Sequence, residues 1–155
     1  MDNIYIQKAT NEHIEYISNN VESKFTCSWT KEQFASIVKV GNTHCFVATC
    51  NDTILGFICF KKIVDEIDIL NIAVDIDFRG KGIGYSLMQH VISFAKNQNL
   101  SPINLEVNVN NKHAIQLYTK VGFRIIHTRK GYYFNKLTNN NEDAYIMIFE
   151  EEYIC

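Results

Sequence analysis

A glycine-rich corner between an apolar segment and an amphipathic helix pattern most restricts what this chain can fold into. The corner is Arg79–Gly84 (Arg-Gly-Lys-Gly-Ile-Gly), and it directly follows the apolar segment Ile67–Val74. Glycines leave backbone N–H groups uncovered, and a helix N-terminus carries about half a positive charge. With the added charge of Arg79 and Lys81, this order of strand, corner and helix predicts an anion site, and a pyrophosphate is its natural occupant.

Several interpretations of this corner compete. A P-loop ends in Gly-Lys-Ser/Thr, whereas here Lys81 is followed by Gly82, which excludes it. A dinucleotide fingerprint has the spacing Gly-x-Gly-x-x-Gly, and here the third glycine comes one residue early. The pattern Arg/Gln-x-x-Gly-x-Gly/Ala is matched by Arg79, Gly82 and Gly84. From these residues alone, the alternative to an anion site is a glycine corner that only turns the chain.

A second ordered pattern lies downstream of the corner. Leu-Glu-Val at 105–107 ends a predicted strand, Asn111 precedes a helix, and Ala-Ile-Gln-Leu-Tyr-Thr-Lys-Val-Gly-Phe follows at 114–123. Together with the corner, this pattern resembles the GCN5-related N-acetyltransferase (GNAT) superfamily. Arg-Lys-Gly-Tyr-Tyr at 129–133 and Glu-Asp-Ala at 142–144 resemble its branch of bacterial ribosomal-protein-alanine N-acetyltransferases (RimI type) and N-terminal acetyltransferase subunits. The resemblance is close over residues 70–147 and weak before residue 45.

The alternation of strands and helices indicates a mixed α/β (α+β) class. The resemblance implies a single mixed sheet with helices on both faces and about seven strands. The strands at Ile67–Val74 and Ile103–Val109 would splay apart, and the pantetheine arm of acetyl-CoA, the implied co-substrate, would enter between them. The residues implied to contact acetyl-CoA are Ile72, Ala73, Val74, Arg79, Gly80, Lys81, Gly82, Ile83, Gly84, Asn111 and Tyr118.

Two residues are candidates for catalysis. Glu106 shares the polar face of its predicted strand with Asn104 and Asn108, which is typical of a solvated residue or of a cleft. The resemblance implies that Glu106 is the general base. Tyr118 lies on the apolar stripe of its helix, as a core tyrosine would, and the resemblance implies that it protonates the leaving thiolate. Asn111 suits a helix N-cap, and the implied contact with the cofactor is compatible with that role.

The acceptor site is expected near the last two strands. Tyr132, Tyr133, Glu142 and Asp143 flank a loop, and an acidic rim would suit a cationic amine. The alternative for these four residues is a hairpin with ordinary surface charges. Near the first helix–helix connection, Phe25 and Trp29 are candidates either for the acceptor wall or for the core.

The remaining elements follow from periodicity and capping signals. Thr10 or Asn11 begins a first helix, and Thr30 forms a capping box with Gln33 for a second helix that Gly41 is expected to end. Further strands are predicted at 4–6, 46–49, 54–60, 123–128 and 144–149.

Length and charge restrict the class of protein. The 155 residues fit one domain with one core, expected to span 1–155. A net charge of −2 gives no reason to expect nucleic acid or membrane as a partner. The longest apolar run, Ile54–Phe60, is shorter than the about 20 residues of a membrane span. Because residues 1–13 are polar and lack an apolar signal core, we expect a cytoplasmic protein. We also expect a monomer or a weak dimer.

The cysteines and histidines predict neither disulfides nor a metal. The cysteine count is odd, and no Cys-x-x-Cys spacing occurs. Cys45, Cys59 and Cys50 fall in apolar segments, which indicates small core residues. The five histidines show no paired ligand spacing, so no metal site is predicted.

Taken with the resemblance, these features predict an acetyl-CoA-dependent N-α-acetyltransferase that acts on protein N-termini. The expected acceptor is the N-terminal alanine of a small-subunit ribosomal protein. One alternative is a small-molecule amine or lysine acetyltransferase of the same fold, and another is a non-catalytic acyl-CoA sensor. The Arg129–Tyr133 and Glu142–Ala144 motifs argue against the first alternative. The presence of both Glu106 and Tyr118 argues against the second.

Overall fold

The computed structural model describes residues 3–151, so Cys155 lies outside the described part. Within residues 3–151, seven strands and four α-helices follow one another. The strands are β1 (Tyr5–Lys8), β2 (Thr43–Cys50), β3 (Thr53–Ile63), β4 (Glu66–Val74), β5 (Ile103–Asn108), β6 (Arg124–Asn135) and β7 (Asn140–Phe149). The helices are α1 (Asn11–Asn20), α2 (Lys31–Ile37), α3 (Ile83–Asn97) and α4 (Lys112–Val121), and a 3₁₀ turn spans Ile76–Phe78. In the described range, no helix has both the length and the apolar character needed to cross a membrane.

All seven strands belong to one sheet in the order β1-β2-β3-β4-β5-β7-β6. Neighbouring strands run antiparallel except for the central pair β4 and β5, which is parallel. That pair is joined only at Ile67–Ile103 and Asp68–Asn104. Beyond these two positions β4 stays with β3 and β5 stays with β7, so the centre of the sheet opens. The predicted mixed sheet and the predicted splay are both confirmed.

Each face of the sheet carries its own core. On one face α3 and α4 pack over a cluster that includes Leu87, Val91 and Leu105. On the other face α1 and α2 cover a cluster in which Phe57 contacts Phe25 and Phe34 edge to face, with ring centroids 5.4 and 5.3 Å apart. Because alternate residues of a strand point to opposite faces, a central sheet of this kind buries apolar side chains on both sides.

Capping residues set the starts of the first two helices, as predicted. The hydroxyl of Thr10 accepts a hydrogen bond from the backbone N–H of His13, and that of Thr30 accepts one from Gln33. In return, the side chains of His13 and Gln33 accept the backbone N–H groups of Thr10 and Thr30. Both capping boxes satisfy backbone donors that a helix start leaves free.

Predicted boundaries were wrong at the end of the second helix and in the last two strands. The second helix ends at Ile37 rather than at Gly41, because Lys39 and Val40 donate to carbonyls three residues back and tighten the chain into turns. The strand predicted at 123–128 continues to Asn135, and β7 begins at Asn140. β6 lies at the edge of the sheet, where much of its surface is exposed, so its outer half lacks the apolar alternation that marks a strand. Consequently, residues 129–133 lie within a strand and not beside it.

Gly56 on β3 permits the close approach of the strand that borders the central opening. A Cβ at this position would lie 2.8 Å from the carbonyl oxygen of Ala73 and 3.3 Å from the Cα of Val74. Both are backbone atoms, which have little freedom to move away. A glycine inside an otherwise apolar strand is the sequence sign of such an approach.

We expect Gly56→Ala to lower the free energy of unfolding by about 1–3 kcal/mol, the usual cost of overpacking. Urea unfolding of the purified variant measures this change. The matched control is Gly41→Ala, because nothing lies within 4 Å of a Cβ at Gly41. Equal losses in the two variants would show that the contact with β4 is not the cause.

Candidate active site

The opening between β4 and β5 is a cleft that closes at Asn104. The side-chain amide of Asn104 donates to the carboxylates of Asp68 and Glu66, each at 3.1 Å, and to the carbonyl of Ile67 at 3.4 Å. One side chain of β5 therefore holds the start of β4 at the point where the two strands separate. Past this point, the edge of β4 from Ile69 to Val74 faces β5 without a ladder between them.

The glycine corner lies at the end of β4, where the cleft reaches α3. Gly80 and Gly82 have φ angles of 77° and 82°, a left-handed conformation that favours glycine. No atom lies within 4 Å of a Cβ built on either residue, so the space beside the backbone is open. Gly82 is the N-cap of the 15-residue helix α3 and offers no side chain to cap it. The N-terminus of α3 is thus exposed in the way that an anion site requires.

Gly84 also lies against α4, and its contact with the cofactor remains a prediction. A Cβ at Gly84 would lie 3.1 Å from Cδ2 of Leu117 on α4. The absence of a side chain there allows α3 and α4 to pack closely. Gly82 has open space beside it instead, so the two glycines of the motif serve two purposes.

The side chain of Arg79 is turned away from the corner. Its Nε donates to the carbonyl of Val74 at 3.1 Å, and its Nη2 donates to the carbonyl of Phe25 at 3.4 Å and to the hydroxyl of Thr26. The guanidinium therefore ties the corner to the connection between α1 and α2. Lys81, the other cation of the corner, lies with its ammonium 5.5 Å from the ring centroid of Phe78 and is exposed.

Glu106 lies on β5 on the face opposite the apolar row of that strand. Its side chain is 34 % exposed, and Oε1 accepts a hydrogen bond from Nη1 of Arg129 at 2.9 Å. The hydroxyl of Tyr132 also bonds to Glu106, and this bond raises the pKa of Tyr132. The carboxylate thus has two partners from β6 and keeps access to solvent, as a proton acceptor at a cleft requires.

Tyr118 lies under the opposite face of the sheet, in the core that α3 and α4 cover. It is 7 % exposed, and burial raises its pKa to about 12. The charge of Tyr133 acts in the same direction. Burial raises the pKa of the half-buried Tyr133, and the charge of Glu106 adds to this. The two predicted catalytic residues themselves belong to different faces of the sheet.

Asn111 caps α4, because its Oδ1 accepts the backbone N–H of Ala114 at 3.2 Å. This confirms the N-cap assignment. The role in cofactor binding remains a prediction. Asn111 is exposed at the start of α4, next to the last residues of β5.

The two acids predicted to line an acceptor rim are engaged within the hairpin. Hydrogen bonds from the side chains of Asn110 and Asn135 lower the pKa of Glu142. Asp143 accepts the backbone N–H of Gly131 at 2.9 Å, which lowers its pKa, and an ion pair with Lys130 adds to this. These contacts favour the alternative that Glu142 and Asp143 are ordinary surface charges of a hairpin. Their role in an acidic rim around the acceptor amine remains a prediction.

The first helix–helix connection contains both core and half-buried residues. Phe25 is 1 % exposed and belongs to the core, whereas Trp29 is half-buried beside Phe34, with ring centroids 6.3 Å apart. The thiol sulfur of Cys27 accepts a hydrogen bond from Asn71 of β4 at 2.9 Å, and burial raises the pKa of that thiol. This connection therefore reaches the β4 side of the cleft.

Sequence reasoning missed the ionic partner of Glu106 and the clamp of Asn104. Arg129 was part of the motif at 129–133, but no spacing rule pairs a residue of β6 with one of β5. The only available signal for Asn104 was its polarity within an apolar segment. Across residues 3–151, no three His, Cys, Asp or Glu side chains are grouped so that they could hold a metal ion.

The chain is similar to known acetyltransferases. The model of the acetyltransferase (GNAT) family matches residues 11–123. A [ribosomal protein bS18]-alanine N-acetyltransferase of Escherichia coli K12 is 34% identical over 120 residues, covering 77% of this chain and 78% of that protein. The crystal structure of the E. coli ribosomal-protein-S18-alanine N-acetyltransferase superposes with a TM-score of 0.86 at 26% identity, covering 99% of each chain. Arabidopsis thaliana NAA60, crystallised with acetyl-CoA, shares the fold with a TM-score of 0.80 at 19% identity, over 96% of this chain and 98% of its own.

We expect Gly82→Val to weaken binding of coenzyme A at least about tenfold, or about 1.4 kcal/mol, because a branched side chain fills the space beside the anion site. Calorimetry with coenzyme A and with pantetheine, which lacks the nucleotide and the pyrophosphate, measures the effect. Pantetheine binding should change far less. Equal weakening of both ligands would show that the substitution acts through folding. As a comparison, Gly84→Val should mainly lower the melting temperature, since it meets Leu117.

Proposed function

The chain belongs to the acetyltransferase (GNAT) family and is an N-acetyltransferase, and we propose that it transfers the acetyl group of acetyl-CoA to the α-amine of a protein N-terminus. The observation that carries the proposal is the cleft between β4 and β5. One side offers an unpaired strand edge and the open glycine corner, and the other presents the half-exposed carboxylate of Glu106. A cofactor and an amine can meet in this arrangement from opposite faces of the sheet.

Acetyl-CoA fits the cofactor side. Its pyrophosphate would lie at the N-terminus of α3, beside Gly80 and Gly82, with Lys81 supplying positive charge. Its pantetheine arm carries amide groups that can pair with the edge of β4 at 72–74, and an open strand edge calls for such a partner. Arg79 would act through its backbone and through its tie to the α1–α2 connection, because its guanidinium is engaged there.

Glu106 acts as the general base in this proposal. A peptide α-amine has a pKa of about 7.7–8.0 and is mostly protonated at neutral pH, so it must lose a proton before it attacks. Glu106 accepts that proton directly or through a water molecule. The free amine then attacks the thioester carbon. A backbone N–H near Val74 stabilises the oxyanion that forms.

Tyr118 assists the departure of the thiolate. With a pKa of about 12, its hydroxyl stays protonated at any working pH. A thiol has a pKa of about 8.5, so complete transfer of the tyrosine proton to a thiolate is uphill. We therefore assign Tyr118 a hydrogen bond to the developing thiolate. The protonated α-amine loses two protons on becoming an amide. It gives the first to Glu106 or to water before the attack, and the second finally reaches the sulfur of coenzyme A.

The acceptor we propose is the N-terminal alanine of a small-subunit ribosomal protein. The names of the E. coli relatives support this choice, as do the residues Arg129–Tyr133 beside Glu106. A negative carboxylate next to the aromatic rings of Tyr132 and Tyr133 suits a small cationic N-terminus. In this proposal the following residues of such a peptide pass the connection between α1 and α2, where Cys27 accepts a hydrogen bond from Asn71 of β4.

A peptide competition with mass spectrometry tests this function. The peptides are an alanine-initiated ribosomal S18 sequence, the same sequence with a blocked N-terminus and an internal lysine, and a polyamine. Acetylation of the free α-amine alone is the expected result. Transfer only to the lysine or to the polyamine would contradict the proposed acceptor while leaving the acetyltransferase activity in place.

Glu106→Gln should lower turnover by about 10²- to 10⁴-fold, the usual contribution of a general base. The amide keeps the shape of the side chain but cannot accept the proton. Calorimetry should find acetyl-CoA binding nearly unchanged, because Glu106 serves the amine and not the cofactor. Turnover close to that of the wild type at neutral pH would remove Glu106 from the mechanism.

Tyr118→Phe removes only the hydroxyl and keeps the ring in the core. Turnover should fall more than about tenfold, since loss of one transition-state hydrogen bond costs at least that much. The melting temperature should stay close to that of the wild type. A variant with full activity would reduce Tyr118 to a core residue.

A further inference from the structure

The ion pair between Glu106 and Arg129 bears on where the Glu106 carboxylate is held. Both side chains are substantially exposed, at 34 % and 46 %. Exposed ion pairs of this kind add little to stability. The short 2.9 Å contact of Arg129 Nη1 with Glu106 Oε1 therefore matters through the position that it gives the carboxylate.

A bulge in β6 directs Arg129 and Tyr132 towards the same carboxylate. Arg129 pairs with Ala144 and Tyr133 pairs with Glu142, so residues 130–132 are opposed by Asp143 alone. Gly131 has a φ of 64°, and its N–H is held by Asp143. Bulges re-aim side chains in this way, often beside active sites.

The guanidinium of Arg129 is itself fixed by an aromatic ring. Its central carbon lies 4.4 Å from the ring centroid of Tyr132, a cation–π contact. Glu106 in turn raises the pKa of the same tyrosine, so Tyr132 lies near the carboxylate as well. Arg129 therefore links the ring of Tyr132 to the carboxylate of Glu106.

We propose that Arg129 is a positioning residue, whose guanidinium, seated on Tyr132, holds one oxygen of Glu106 so that the other is directed at the acceptor amine. This inference rests on the proposed role of Glu106 as the base. An unheld glutamate samples several rotamers, and fixing one of them places the proton acceptor within reach of the amine at no further entropic cost during the reaction. The planar fork of arginine suits this task better than a flexible lysine ammonium.

The test compares Arg129→Gln with Arg124→Gln in the complete chain. Arg124 is a matched control, because it lies on the same strand and pairs with Glu150 at 3.3 Å. We expect Arg129→Gln to lower kcat at least about tenfold, on the scale of a displaced catalytic group. The KM for acetyl-CoA and its calorimetric affinity should not change. Arg124→Gln should keep the wild-type kcat.

A double-mutant cycle separates positioning from an independent effect. If Arg129 acts through Glu106, adding Arg129→Gln to Glu106→Gln should cause little further loss, because the base is already absent. An equal loss of kcat in both backgrounds would overturn the inference, as would wild-type kcat in Arg129→Gln. Full activity in Glu106→Gln alone would refute the proposed base instead, so the two failures are distinguishable. Melting temperatures of all variants check that the fold is retained.

Discussion

The site depends on one interruption of hydrogen bonding in the middle of the sheet. β4 and β5 pair at only two positions and then separate, each held by its outer neighbour. Asn104 closes the divergence at one end with three hydrogen bonds to β4. Unpaired backbone groups within a sheet are costly unless a partner satisfies them. The opening is therefore both a gap in the fold and the place where a ligand with amide groups gains most.

The sheet also separates the two residues that we propose for catalysis. Glu106 stands on the face with α1 and α2, where the carboxylate keeps contact with water. Tyr118 lies in the dry core under α3 and α4, where burial keeps its hydroxyl protonated. The divergence of β4 and β5 is where groups from the two faces can meet.

Much of the fold was predictable, because local rules agree with the tertiary structure there. The corner at 79–84 and the caps at Thr10, Thr30 and Asn111 follow from glycine and capping signals, whereas the separation of β4 and β5 was expected only from the family resemblance. The outer half of β6 was not predictable from alternation, since an edge strand exposes residues on both faces. There the pairing with β7 decides the structure.

In the candidate site, too, local sequence patterns identify single residues but not the contacts between distant segments. Residue identities such as Glu106 and Tyr118 follow from a motif, but their partners follow from how distant segments meet. Nothing in the spacing of Arg129 predicts a contact 23 residues earlier in the chain. The separate roles of Gly82 and Gly84 likewise depend on whether α4 stands beside them.

The hydrogen bonds of the Arg79 side chain couple the effects of substitutions at two distant positions of the sequence. One guanidinium joins the end of β4 to Phe25 and Thr26, and the N–H of Ile76 reinforces the same junction by donating to Lys24 at 2.9 Å. Substitutions at Arg79 and Thr26 therefore belong to one energetic unit, although the two positions are far apart in the sequence. A change at position 79 therefore alters the junction between the end of β4 and the connection between α1 and α2, and drift at one of the two positions constrains which residues the other can tolerate.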